Sequence, residues 1–439
     1  MHRKLLILLA LVSSVPAQEP RQDTGPLKLT LREAVTLALK QNPQVILANL
    51  GVSQRVQDSQ IARSALLPQV SGNVAEQVHR VNLDTAIGFG FPGYPQHVGP
   101  YYVFQGGVGF NTPVFDLTLW RRYRSAQAGI DSSRAQEISV REESVLLVVS
   151  QYLGSQRAAA EVAAAQSRVE LAQALYDQAA DLQKNGVGTG IDTLRSNVQL
   201  QNEKQRLIVA RTQLETSLYG LVRLLNLDPR RSLQLADQVA FFETPPVSMD
   251  QTLERAYSTR PELRQIFSEE QRAALDQKAA ASERIPKLSL SGVWLEQGLT
   301  PTSIIPVYQY QASLDFPLFT GGRIQAQRAQ ADLALRQLRQ QEQDLRNRIA
   351  MEVKTAIAHL ESARSEVAVA NLGVDLAHQE VTQARDRFQA GVANNIEVIT
   401  AQDELSRAND NQIAALYRYN QSRADLAYAA GQMEAMYAR

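Results

Sequence analysis

Two distant stretches of this chain carry nearly the same text. From Tyr176 to Leu200 it reads YDQAADLQKNGVGTGIDTLRSNVQL, and from Thr382 to Leu405 it reads TQARDRFQAGVANNIEVITAQDEL. Gly186 matches Gly391, Ile191 matches Ile396 and Asp192 matches Glu397 at one spacing. Upstream, NTPVFD from Asn111 to Asp116 matches DFPLFT from Asp315 to Thr320, and LPQVSGNV from Leu67 matches IPKLSLSGV from Ile285. An internal duplication restricts architecture more than a single motif can, because each half must form the same supersecondary unit. The repeated order is helix, strand pair, very long helix, glycine turn, helix. The expected division is a first repeat over 18–228, a connecting segment over 229–250 and a second repeat over 251–439.

The first 17 residues read as a secretory signal: a basic start (His2, Arg3, Lys4), an apolar core (Leu5 to Val12) and a small-residue cleavage site ending at Ala17. That core is too short to span a bilayer. Cleavage would leave 43 basic side chains against 45 acidic ones, so charge supplies no case for a nucleic-acid partner. There is no cysteine, hence no disulfide framework, no thiol metal site and no lipidated cysteine to tether the mature chain. No later stretch has the apolar run of a transmembrane helix. If the exported chain lives in a membrane, it does so through strands.

Four segments alternate with a period near two: Val70 to Val81, Tyr101 to Phe115, Lys287 to Glu296 and Val307 to Phe319. In the last, Tyr308, Tyr310, Ala312, Leu314, Phe316 and Leu318 share one face while Gln309, Gln311, Ser313 and Asp315 share the other. Tyr102, Phe104, Val108 and Phe110 line up with Gly106, and Leu288, Leu290 and Trp294 line up in the third. The first is weaker, since Glu76 and Arg80 fall in register with Val70, Val74 and Val78. Apolar-out, polar-in strands of this length fit an outer-membrane barrel. The competing reading is a half-buried sheet of a soluble domain. Two isolated hairpins amid helices argue against it.

Between the strands the chain is helical. Thr30 and Glu33 form a capping box before LREAVTLALK, Pro43 interrupts, and a second helix runs to about Leu66. From about Leu117 to Lys184 and from Gly322 to Ala390 there is no proline, predicting helices of roughly 100 Å. Their lengths imply a coiled coil or helical tunnel, with Ala158 to Ala160 and Ala163 to Ala165 allowing close approach. Helices return from Ile191 to about Leu227 and from Asn395 to about Met436.

No constellation for chemistry emerges. Gly88 to Gly93 matches a dinucleotide fingerprint in letters only, because it contains a proline and no helix follows. The five histidines form no metal motif, and no hydrolase arrangement is present. The chain reads as no enzyme and needs no cofactor. The turns at 186–190 and 391–395 are helix reversals in which glycine supplies the left-handed conformation, and they form exposed tips.

Together these features resemble the TolC-type outer-membrane efflux protein family over roughly Leu27 to Glu434. The resemblance rests on the duplication, the NPQV run after the first helix, the paired PVFD and PLFTGGR segments and the two G-x-x-x-x-I-[DE] tips. It implies a mainly α protein with a transmembrane β-barrel portion. Three chains would build an α-helical tunnel and a shared twelve-stranded barrel, four strands from each. It also implies a periplasmic adaptor docked at the tips, where Gly186, Val187, Gly188, Gly391, Val392 and Ala393 lie, an inner-membrane pump beyond it, and outer-membrane lipid around the barrel. In the family the tunnel closes at the tip. Glu397 matches the first acid of that constriction, Thr400 replaces the second, and Asp192 matches the acceptor of a gating contact. Phe388 stands where that contact has tyrosine and Ala393 where it has arginine, so Phe388, Ile396 and Glu397 are expected to shape the constriction. The reading is a passive exit duct of a tripartite efflux or type I secretion system. The alternative is a soluble periplasmic coiled-coil adaptor, which should lack lipid-facing aromatic strands.

Overall fold

The computed structural model describes residues 27–89, 92–93, 95–237, 247–390, 392 and 395–438. The expected signal segment 1–17, and Gly391 and Ala393 of the second tip, lie outside these residues. Thr30 caps α1 (Leu31–Gln41) through the expected box with Glu33. Pro43 opens a second helix, α2 (Pro43–Ser64), where its missing N–H costs nothing. After α2 come strand β2 (Gln69–Asn82), short helix α3 (Leu83–Ile87) and strand β3 (His97–Phe115). The 68-residue α4 (Leu117–Lys184) and the 35-residue α5 (Gly190–Leu224) complete the first half. The second half gives α6 (Met249–Thr259), α7 (Pro261–Ser282), β5 (Lys287–Gly298), β6 (Ile305–Asp315), the 67-residue α8 (Arg323–Gln389) and the 35-residue α9 (Asn395–Ala429), followed by α10 (Met433–Tyr437).

Each long helix packs along its return helix, α4 on α5 and α8 on α9. The seam has a seven-residue period. On α8, Val353, Leu360, Val367, Val374 and Val381 alternate with Ala356, Ala363, Ala377 and Ala384, all buried. On α4, Ala158, Ala165, Ala172 and Ala179 are buried at the same spacing. A strict heptad keeps one stripe facing the partner only if the pair coils left-handedly, and alanine at one of the two core positions brings the backbones close.

The four long strands form one antiparallel sheet in the order β2-β3-β5-β6, so the two hairpins are joined through β3 and β5 rather than isolated. Three expectations fail at strand and helix ends. The fourth strand stops at Asp315 rather than Phe319, because its neighbour β5 begins opposite at Lys287, after Pro286, and Pro317 follows. The last long helix stops at Ala429 rather than Met436, because Gly431 turns left-handed (φ +65°) and its N–H bonds back to the Tyr428 carbonyl. Asn226 (φ +50°) ends α5 in the same way, before the expected Leu227.

Beside the helices lies a small layer that alternation does not reveal. Strand β1 (Leu27–Leu29) pairs in parallel with β4 (Leu233–Leu235), inside the stretch expected only to connect the halves. The fully buried Tyr152 donates to the Leu29 carbonyl (2.9 Å) and to the Asp237 carboxylate (3.0 Å). Asp237 also accepts from the Leu31 N–H, fixing the start of α1. The largest apolar core gathers here from α1, α4, α5, β4 and α10, with Val145, Val148, Val149, Leu221, Leu225 and Met433 fully or almost fully enclosed.

Candidate functional site

Strand pairing builds one apolar face of the sheet row by row. Val70, Phe110, Gly292 and Tyr310 are direct neighbours across the four strands, as are Gly72, Val108, Trp294 and Tyr308. Val70, Val74, Val78, Val108, Trp294, Tyr308, Tyr310 and Leu314 on this face are all exposed. Gly292 leaves room for the rings on either side of it. A Cβ there would meet the Phe110 ring at 2.5 Å and the Tyr310 ring at 2.6 Å, so its absence lets these rings close over the backbone. The opposite face carries Gln69, Asn111, Ser291 and Gln311 in one row. Such an apolar outer face over a polar inner one suits a strand between lipid and a watery lumen. Glu76 shares the apolar face opposite Phe104, above a register slip between His79 and Val81. Among the described residues no helix is long and apolar enough to cross a membrane.

The first tip is built by backbone geometry. Gly186 has φ +78°, and the N–H groups of Val187 and Gly188 both return to the Leu182 carbonyl. A Cβ on Gly188 would lie 2.9 Å from the Gln183 nitrogen. Thr189 then caps α5 by accepting from the Asp192 N–H. Val187, Ile191, Leu194 and Val198 are left exposed, the last three on one face of α5. In the second tip Val392 and Ile396 are exposed, and the Val392 N–H bonds to the Arg387 carbonyl.

Asp192 and Phe388 come from different repeats yet line one cavity of about 180 Å³, together with Leu182, Val187 and Gly188. Phe388 also packs against the buried cluster of Val381, Ala384, Val398 and Ala401. Glu397 forms an ion pair with Arg387 across its own turn at 2.8 Å, and the Thr400 hydroxyl donates to the Ile396 carbonyl within α9. Sequence reading placed Glu397 in the constriction without its arginine. The signal was available, since position 387 lies four residues before the turn glycine on the facing helix.

Burial is the main force raising the Glu142 carboxyl above its ordinary range, opposed by the Met433 and Glu434 N–H groups that it accepts from. Arg141 beside it binds Glu434 through two nitrogens. Among the described residues no cluster of three or more His, Asp or Glu side chains could hold a metal ion.

A long coiled-coil hairpin carrying a lipid-facing sheet defines an outer-membrane channel. Residues 34–227 and 252–432 match the family described as outer membrane efflux protein, and the chain belongs to that family. It is 24% identical over 430 residues to the alkaline protease secretion protein AprF of Pseudomonas aeruginosa, covering 92% of this chain and 85% of that one. It is 24% identical to the pyoverdine export outer membrane protein OpmQ of Pseudomonas putida over 68% of this chain and 64% of that one. Its fold matches the CmeC outer membrane channel of Campylobacter jejuni with a TM-score of 0.80 at 18% identity, covering 92% and 85% of the two chains. The chain is thus an outer-membrane exit duct of a Gram-negative-type envelope, a transport protein rather than an enzyme. The soluble adaptor reading falls with this result.

Proposed function

We propose that three copies close into one duct, with a twelve-stranded barrel in outer-membrane lipid and an α-helical tunnel across the periplasm. The observation that carries this is the sheet: among the described residues β2 and β6 each leave one edge unpaired, while the face they bound is apolar and exposed. Open edges cannot persist in hydrocarbon, where every unsatisfied backbone group costs several kcal/mol. Copies of the same chain supply the missing edges and close the ring. The halves 18–228 and 251–439, joined by 229–250, then act as quasi-equivalent units around the tunnel.

The tips at Gly186, Val187, Gly188, Gly391, Val392 and Ala393 dock a periplasmic adaptor, which links the duct to an inner-membrane pump. Exposure of Val187 and Val392 supports this. Phe388, Ile396, Glu397, Thr400 and Asp192 shape the constriction. Glu397 contributes negative charge tempered by Arg387, giving a weak preference for cations. Single-channel recording in planar bilayers, with the mass of the detergent-solubilised protein, tests the reading. A trimer with discrete conductance steps, less cation-selective after Glu397→Gln, is expected. A particle that stays monomeric and never inserts would overturn it.

A further inference from the structure

The grooves of the two hairpins are filled differently. Gly186 and Gly391 lie 205 residues apart, and the same offset relates α5 to α9, which both run 35 residues. Under it Arg168 corresponds to Gly373, Glu203 to Ala408 and Asp410 to Gln205. In the first hairpin Arg168 leans across the groove. Its guanidinium reaches the Ser406 hydroxyl (3.1 Å) and the Asp410 carboxylate (3.0 Å) on α9, and lies 3.5 Å from the buried Glu203 on α5. Arg206 (2.8 Å) and Gln199 (3.0 Å) complete the shell around Glu203. This ion cluster fastens the first hairpin to the second.

In the second hairpin the corresponding groove, of about 870 Å³, is lined by Gly373 and Ala408 where the first has Arg168 and Glu203. Of the charges that line it, Arg418 pairs with Glu366 (2.7 Å) and Arg407 with Glu404 (2.9 Å) within that hairpin, and none stands at the latch positions. A Cβ added at Gly373 would touch nothing. The helix face that would enter it is also visible. On α9, Asp403 and Ser406, which meet α4 and α5, are half-buried, whereas their counterparts Val198 and Gln201 on α5 are exposed. Val369 and Leu376 on the facing side of α8 are exposed too, while their counterparts Ala164 and Leu171 on α4 are half-buried.

Resting on the ring reading above, we propose that the groove at Gly373 seats α5 of a second copy, and that this seam lacks the ion latch of the seam within the chain. Going round the duct, latched seams inside chains alternate with unlatched seams between chains. At this level the tunnel yields between chains, not within them.

The native chain has no cysteine, so paired cysteines report on single seams in the full-length protein. With a short bis-maleimide, Gly373→Cys with Gln205→Cys should link chains into dimers and trimers on a denaturing gel. Arg168→Cys with Asp410→Cys should give bridged monomers, and each single variant no bridge. A second measurement probes the vacant latch. Gly373→Arg is combined either with Gln205→Asp or with Gln205→Lys, two proteins that differ only in one charge. The opposite-charge protein should dissociate to monomers at a higher temperature than the like-charge one. A native trimer by mass that gives no cross-chain bridge, or equal dissociation temperatures for the two charge variants, would overturn the seam and leave the ring standing. Absence of any trimer would overturn the ring itself and the seam with it.

Discussion

Asn42 and Arg260 hold the same place in their two repeats, and each closes the end of a return helix by different chemistry. Each precedes the proline that opens the second short helix. The Asn42 amide donates to the Leu224 carbonyl at the end of α5 (2.8 Å). Arg260, almost fully enclosed, reaches the Ala429 and Tyr428 carbonyls at the end of α9 (3.4 Å each), pairs with Glu262 (3.1 Å) and Glu352 (2.9 Å), and stacks over the Tyr428 ring. Duplication preserved the task, a partner for terminal carbonyls that no helical N–H can satisfy. It did not preserve the residue. A neutral amide answers one carbonyl, whereas a buried cation requires a retinue of acids and so ties α6, α7, α8 and α9 into one knot.

The comparison breaks most visibly at that knot. Arg260→Ala strands Glu352 and the α9 carbonyls, and should cost about 2–4 kcal/mol, below the full range for a buried pair because Glu352 is one-third exposed. Asn42→Ala should cost about 1–3 kcal/mol. Denaturant unfolding followed by circular dichroism ranks the two, and a larger loss at Asn42 would reverse the argument. Next, Arg168→Ala removes bonds to Ser406 and Asp410 and should cost about 1.5–3 kcal/mol, while raising the variance of open-channel conductance. Unchanged stability would mean that the cluster fastens nothing.

Smaller effects sharpen the contrast. Tyr152 has Ile357 as its counterpart in the second repeat. Tyr152→Phe loses the bonds to Leu29 and Asp237 and should cost about 1–2 kcal/mol, with hydrogen exchange rising first in β1. Glu142 faces Asn347 in the same comparison, so only the first repeat carries a buried acid there. Its raised carboxyl makes the fold bind the proton more tightly than the unfolded chain does. That contribution is fully present below the ordinary value of 4.5 and is lost as pH rises through the raised value. The stability of the native protein relative to Glu142→Gln should therefore fall with rising pH across that window, and a flat difference would remove the effect. Smallest is Arg387→Ala, which breaks an exposed pair with Glu397 and should change stability by no more than about 1 kcal/mol.

Much of this was legible beforehand. α4 begins and ends at Leu117 and Lys184 as the proline-free run indicates, because long helices carry redundant signal. The strand faces follow from alternation alone. The layer of β1 and β4 was not legible: three residues each is too short for periodicity, and their pairing spans the whole first half. The alanine heptad was visible only in part, since small residues weigh little beside valine and leucine in any apolar pattern. The seam cluster escaped because Arg168, Glu203 and Asp410 look like solvated helix charges until three helices meet. The stop at Gly431 is not legible either, because a left-handed glycine looks the same in sequence as any helical glycine.

The unpaired edges of β2 and β6 also govern how such a protein reaches its destination. A lone chain cannot hand its sheet to lipid without carrying two rows of bare peptide groups into oil. If copies close the ring as proposed, they must be beside it first. Entry into the bilayer is then a collective event whose rate climbs more steeply than in proportion to the amount of chain present.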